Sequence, residues 1–200
     1  MANLHVLVLA AGASTRLGQP KQLVSINGRP ALHIAVSHAV AVAGNAVTVV
    51  VGANASDLTY LLSHSPASSI ANRQWEEGIA SSIRCGLSVV PASADAVMIV
   101  LGDQVCVTAD DLKRLTAAWN EQDNVIAAAT YARHVGVPAI FPRACFSELA
   151  ELRGDEGARK IIMRNPDRLV RVPMSNAAFD LDPPEDLAAL TQKMNRETPA

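Results

Sequence analysis

The run Leu4-His5-Val6-Leu7-Val8-Leu9-Ala10, followed by Ala11-Gly12, restricts the fold more than any other stretch of this chain. It is nearly continuous in apolar residues rather than alternating, so neither face is suited to water. A strand of this kind belongs in the middle of a parallel sheet with helices on both sides. The pattern recurs at residues 47–51, 96–101 and 125–129, each run stopping at glycine, aspartate or a polar turn. Between these runs, residues 31–42 and 81–90 carry apolar side chains at helical spacing, and residues 110–119 follow Thr108, a suitable N-cap. The alternation predicts the α/β class, a Rossmann-like three-layer α/β/α fold around a mostly parallel sheet. In such folds the strand-to-helix loops gather at the carboxyl edge of the sheet, and ligands bind there.

The 200 residues suit one domain over 1–194 with a polar tail at 195–200, and no internal repeat or linker divides them. No apolar run approaches the roughly 20 residues that cross a bilayer. Polar Asn3 stands where a signal peptide would be basic, so a cytoplasmic protein with no membrane partner is expected. A net charge of −2 with mixed signs offers no basic face for nucleic acid. Cys85, Cys106 and Cys145 are odd in number and far apart, which argues against a disulfide framework or a structural zinc site. They read as small buried hydrophobes in a reducing compartment.

The segment from Leu9, Ala10, Ala11 and Gly12 through Arg16 and Gly18 to Lys21 carries the strongest local signal. Small residues and glycines let the backbone approach a ligand and offer N–H donors in a concave nest. Arg16 can grip phosphate through two donors of its planar fork, and Lys21 supplies a compact charge able to follow a phosphate during reaction. A triphosphate is the natural ligand. The Gly-Lys-Ser/Thr ending of a Walker loop and the three-glycine dinucleotide fingerprint are both absent. The segment resembles the signature of the nucleotidyltransferases that attach nucleotides to molybdopterin, a family that shares its fold with sugar-phosphate nucleotidyltransferases.

Asp103 follows the apolar run at 96–101, which places a carboxylate at the sheet's carboxyl edge, near the expected phosphates. Phosphoryl chemistry calls for such a group to hold Mg²⁺, with Mn²⁺ as the substitute. Near the end, Phe179-Asp180-Leu181-Asp182 alternates apolar with acidic residues, so a strand would present Asp180 and Asp182 on one face. Carboxylates held together repel unless a cation joins them, which makes these two further metal ligands. Glu185 and Asp186 suit the first turn of a following helix.

By the same resemblance, the stretch 72–83 lies beside the base and ribose, with Gly78 permitting close approach and Ser82 donating a hydrogen bond. A structural role, with Trp75 as an anchor and Ser81 and Ser82 at a helix start, explains these residues equally well. Gly136-Val137-Pro138-Ala139-Ile140-Phe141-Pro142 and Gly154-Asp155-Glu156-Gly157-Ala158-Arg159 resemble stretches of the cytidylyltransferase branch and its close relatives that face the acceptor. Asp155 and Arg159 are therefore acceptor-side candidates, the alternative being a helix-capping Asp155 and a solvated Arg159. The resemblance implies CTP and Mo-molybdopterin as substrates and a molybdoenzyme or its maturation chaperone as recipient. A guanylyltransferase or a sugar- or alcohol-phosphate nucleotidyltransferase is the alternative. Val105 and Pro183 stand where the family usually has proline and threonine; these departures leave the acids intact but raise a second alternative, a cofactor-binding or chaperone-like protein that keeps the fold without turnover.

Overall fold

A computed structural model describes residues 3–14, 18–119, 124–132 and 134–179. Its strands are β1 (Leu4–Ala10), β2 (Ser25–Ile26), β3 (Arg29–Pro30), β4 (Val47–Val51), β5 (Ser68–Ala71), β6 (Ala96–Leu101), β7 (Ile126–Tyr131), β8 (His134–Pro142) and β9 (Leu169–Pro173). The helices are α1 (Ala31–Ala43), α2 (Ala55–Leu61), α3 (Ile79–Leu87), α4 (Ala109–Trp119), α5 (Phe146–Ala150) and α6 (Arg159–Arg164). Seven strands form one sheet in the order β5-β4-β1-β6-β8-β7-β9, and β2 pairs with β3 in a small hairpin. β5, β4, β1 and β6 run parallel, β8 is antiparallel to both β6 and β7, and β9 is parallel to β7.

The central strand explains its own composition. Val6, Val8 and Ala10 face the side covered by α1, α2 and α4, while Leu7 and Leu9 face α3, α5 and α6. Both faces are dry, and burying each such Val or Leu is worth roughly 1.5–3 kcal/mol over leaving it in water. Helix α4 opens on the expected cap: Thr108 Oγ1 accepts the Asp111 N–H at 3.2 Å, and Asp111 Oδ2 accepts the Thr108 N–H at 3.0 Å. Helix α3 starts at Ile79 and stops at Leu87, earlier at both ends than the apolar spacing over 81–90 implies. Gly78, at φ 114°, breaks the chain direction just before it.

β8 and β9 are not expected from apolar runs. β8 contains Gly136 and Pro138, yet it lies between β6 and β7, and Ala139, Ile140 and Phe141, alternating between the two faces of the sheet, are wholly buried. Val105 is packed with Val24, Ile26, Ala31 and Ile34 in a separate apolar cluster, so its departure from the family's proline is filled by core contact. Among the described residues no helix is long and apolar enough to cross a membrane.

His5 is buried and His38 half-buried. His5 Nε2 lies 2.9 Å from Thr48 Oγ1, and His38 Nδ1 donates to the Val107 carbonyl at 2.7 Å. Burial pushes both below their ordinary value of 6.5; at His38 the Val107 bond and Asp111 oppose that effect, and Arg29 adds to it. The unfolded chain therefore takes up protons below 6.5 that the folded chain refuses, and stability present above that value is lost as pH falls. Thermal midpoints are expected to drop by a few degrees between about pH 7.5 and about pH 5.5, with His38→Gln flattening the drop. A midpoint that rises on acidification contradicts this assignment.

Candidate active site

The carboxyl ends of three parallel strands come together at one edge, where Leu9 pairs with Leu101 and Ala10 with Val51. A cavity of about 450 Å³ opens above them. Its floor is the loop from Leu9 to Ser14, its sides are Lys21 with Gln22 and, across from them, Trp75, Glu76, Gly78, Ile79 and Ser82, and Leu101, Gly102, Asp103 and Asp155 complete it. The predicted loop residues Leu9, Ala10, Ala11 and Gly12 all line this cavity, as do Gly78 and Ser82. Gly18 lies outside the lining, in the left-handed region at φ 70°, on the connection between the loop and Lys21.

Lys21 and Asp103, 82 positions apart, meet here: Lys21 Nζ donates to Asp103 Oδ2 at 2.5 Å. Each is positioned by the backbone behind it. The Lys21 N–H donates to Ser14 Oγ at 3.1 Å, and the Gly102 N–H donates to the Leu9 carbonyl at 2.9 Å, fixing the Asp103 turn against β1. The side chains keep 21% and 10% of their surface exposed, so a ligand in the cavity can reach both. Among the described residues no group of three or more His, Cys, Asp or Glu side chains is arranged to hold a metal. A single hard carboxylate still fits Mg²⁺, which keeps several waters and takes one or two protein carboxylates beside substrate phosphates. Arg16, Asp180 and Asp182 lie outside the described residues.

The opposite wall is stiffened by a buried amide. Asn72, directly after β5, donates from Nδ2 to Ser81 Oγ at 2.8 Å and to Ser82 Oγ at 3.1 Å, and its Oδ1 accepts the Gln74 N–H at 2.9 Å. The Ser81 hydroxyl donates to the Gly78 carbonyl at 2.8 Å, which ties the start of α3 to the turn before it. Two glycines on this side are sterically required. A Cβ on Gly52 would stand 2.5 Å from the Ala11 carbonyl oxygen, and one on Gly78 would stand 2.5 Å from both Asp155 Oδ1 and the Gly154 carbonyl oxygen. Glu77 joins the two segments, accepting from Arg84 at 2.6 Å and from the Gly154 N–H at 3.4 Å. The hydrogen bond from Arg84 holds the Glu77 carboxyl below its ordinary range, with partial desolvation opposing it.

The two acceptor-side candidates part company. Asp155 does not cap a helix, since α6 begins after Ala158 without a side-chain cap; it lines the large cavity beside Gly78. Arg159 instead borders a second cavity of about 130 Å³ with Tyr131, Gly136 and Val137, and its Nη2 lies 3.5 Å from His134 Nδ1. The two spaces share Leu9, Ile79 and Leu101 as a common wall. Gln22 is an organising residue that sequence reasoning passes over, because its side chain acts on the carbonyls of Ala10 and Gly12, contacts that no local residue pattern announces.

Residues 6–169 match the MobA-like NTP transferase domain. The chain belongs to this family. Other proteins resemble it over different lengths. It is 25% identical to the purine catabolism protein PucB of Bacillus subtilis over 201 residues, covering 94% of this chain and 95% of that protein. It is 30% identical over 122 residues to the bifunctional protein GlmU of Sorangium cellulosum, covering 58% of this chain but only 26% of GlmU. The chain thus spans about a quarter of that relative's length. The crystal structure of Rv0371c from Mycobacterium tuberculosis H37Rv superposes with a TM-score of 0.83 at 27% identity, covering 96% of this chain and 98% of that one. A second structure of Rv0371c, in complex with manganese, gives 0.79 at 25% identity over 96% and 99%.

Proposed function

We propose that this MobA-like protein transfers the CMP unit of CTP to the phosphate of Mo-molybdopterin and releases pyrophosphate. The observation that carries this reading is the meeting of Lys21 and Asp103 at the rim of a loop-floored cavity large enough for a nucleotide. An acceptor phosphate oxygen attacks the α-phosphorus, the bond from that phosphorus to the bridging oxygen of the β-phosphate breaks, and pyrophosphate leaves in line. Lys21, with Arg16 as its expected companion, neutralises charge on the leaving group. Gly78 and Ser82 bound the base and ribose. Asp103, together with Asp180 and Asp182, would hold Mg²⁺ or Mn²⁺, which supplies charge neutralisation to the triphosphate. Catalysis then comes from positioning and electrostatics, without a protein nucleophile. The manganese complex of Rv0371c supports a divalent ion in this setting.

The second cavity favours a pterin over a sugar phosphate. Its walls are mostly Leu, Ile, Val, Ala and Gly with the Tyr131 ring, a lining that suits a flat heteroaromatic ring better than a polyol. Arg159 at its border is the cation for the acceptor's phosphate. Arg159→Ala should raise the KM for acceptor about tenfold while leaving that for nucleotide near its original value. Equal increases for both substrates remove Arg159 from the acceptor side. The reaction itself is tested by incubating the protein with each NTP in turn, Mg²⁺ and Mo-molybdopterin, then weighing the pterin product. CMP addition with matching pyrophosphate release is expected. GMP addition places the protein in the guanylyltransferase branch, and tight cofactor binding without pyrophosphate makes it a carrier.

A further inference from the structure

Gln22 follows Lys21 and is buried beneath the loop after β1, with 2% of its surface exposed. Its Nε2 donates to the Ala10 carbonyl at 3.1 Å and to the Gly12 carbonyl at 3.0 Å. Its Oε1 accepts the Ser14 hydroxyl at 3.3 Å. One side-chain amide therefore gathers alternate carbonyls of the loop and the side chain at its far end. A trans peptide is planar, with each N–H antiparallel to the carbonyl before it. Drawing the carbonyls of Ala10 and Gly12 down onto Gln22 turns the N–H groups of Ala11 and Ala13 the other way. The carbonyl between them, on Ala11, is engaged separately by the Ala53 N–H at 3.1 Å. Among the described residues the N–H groups of Ala11, Gly12 and Ala13 donate to no protein acceptor, although Ala11 is only 5% exposed. All three residues line the large cavity.

We propose that Gln22 is the positioning residue of the phosphate cradle, holding the 10–11 and 12–13 peptides so that the N–H groups of Ala11 and Ala13 converge on a polyphosphate. This inference rests on the triphosphate reading of the cavity. Gln22 itself touches no substrate; its effect is transmitted through the loop backbone. Lys21 attracts phosphate through charge, which tolerates small displacements, whereas paired N–H donors depend on direction and are lost when the loop relaxes. Ser14 extends the same device, because its hydroxyl oxygen takes the Lys21 N–H while its proton goes to Gln22, coupling the cradle to the catalytic lysine.

Calorimetric titration of the full chain with tripolyphosphate and, separately, with cytidine, both in Mg²⁺, tests this. Gln22→Met keeps the length of the side chain and removes both donors. Its Kd for tripolyphosphate should rise about tenfold or more, with the Kd for cytidine changing less than about twofold. Should Gln22→Met fail to fold, Gln22→Asn, which reaches only one of the two carbonyls, should show a smaller loss of the same selective kind. Unchanged tripolyphosphate affinity in the folded variant overturns the proposal, and so does an equal loss for both ligands. If the unsubstituted protein binds cytidine but no tripolyphosphate, the triphosphate reading of the cavity fails first.

Discussion

Asp103→Asn is expected to lower turnover about a thousandfold or more while leaving the protein folded. Asparagine has the same shape, and its amide oxygen can still accept from the Lys21 ammonium that now sits 2.5 Å from Asp103 Oδ2. The turn that carries it is held from behind by the Gly102 N–H on the Leu9 carbonyl, a contact that the substitution does not touch. What disappears is the negative charge that, on the proposed mechanism, would help to hold and orient a divalent ion beside the triphosphate. Saturating Mg²⁺ should recover only part of the rate, because an amide cannot supply the charge or the ligand geometry of the carboxylate, and the thermal midpoint should stay within a few degrees of the original. A variant that turns over normally across a Mg²⁺ titration removes Asp103 from the reaction.

Lys21→Ala should reduce kcat by about 100-fold to 1000-fold, with a smaller rise in the KM for nucleotide. The Lys21 ammonium is engaged with Asp103, and on the proposed mechanism its flexible four-carbon stem would let it move onto the phosphates of a bound nucleotide. On that mechanism its largest contribution would come as charge builds on the departing pyrophosphate, a stage that the ground state does not share. The same substitution leaves Asp103 without its neighbouring cation, so the nucleotide-free variant should bind Mn²⁺ more tightly than the original protein does. A change confined to KM, or metal affinity that does not rise, contradicts this role for the pair.

The legibility of the molecule follows from how local each signal is. β1, β4 and β6 can be read from the sequence because strands covered on both faces must be apolar at every position, and the wholly buried Val6, Leu7 and Val8 bear this out. The loop after β1 is legible because small residues and cations directly after a buried strand have few other uses. β8 is not, since Gly136 and Pro138 mark it as a turn, and only its neighbours β6 and β7 make it a strand. β9 is partly exposed and carries Arg171, so no apolar run announces it. The same limit applies to the site. Lys21 and Asp103 can each be picked out alone, but their contact depends on the sheet that brings residues 82 apart together. Gln22 looks like one polar residue in a loop until the carbonyls of Ala10 and Gly12 are placed above it. Asp155 and Arg159 share one motif, and the fold sends them to different cavities because the chain turns into α6 between them.

Crystals of the protein grown with Mn²⁺ and a non-hydrolysable CTP analogue, with the metal located by its anomalous scattering, would test the central claim most directly. The manganese peak should lie between the Asp103 carboxylate and the triphosphate oxygens, with Lys21 turned onto those phosphates. A triphosphate bound away from the loop at Ala11 to Ser14, or a metal out of reach of Asp103, would contradict the account.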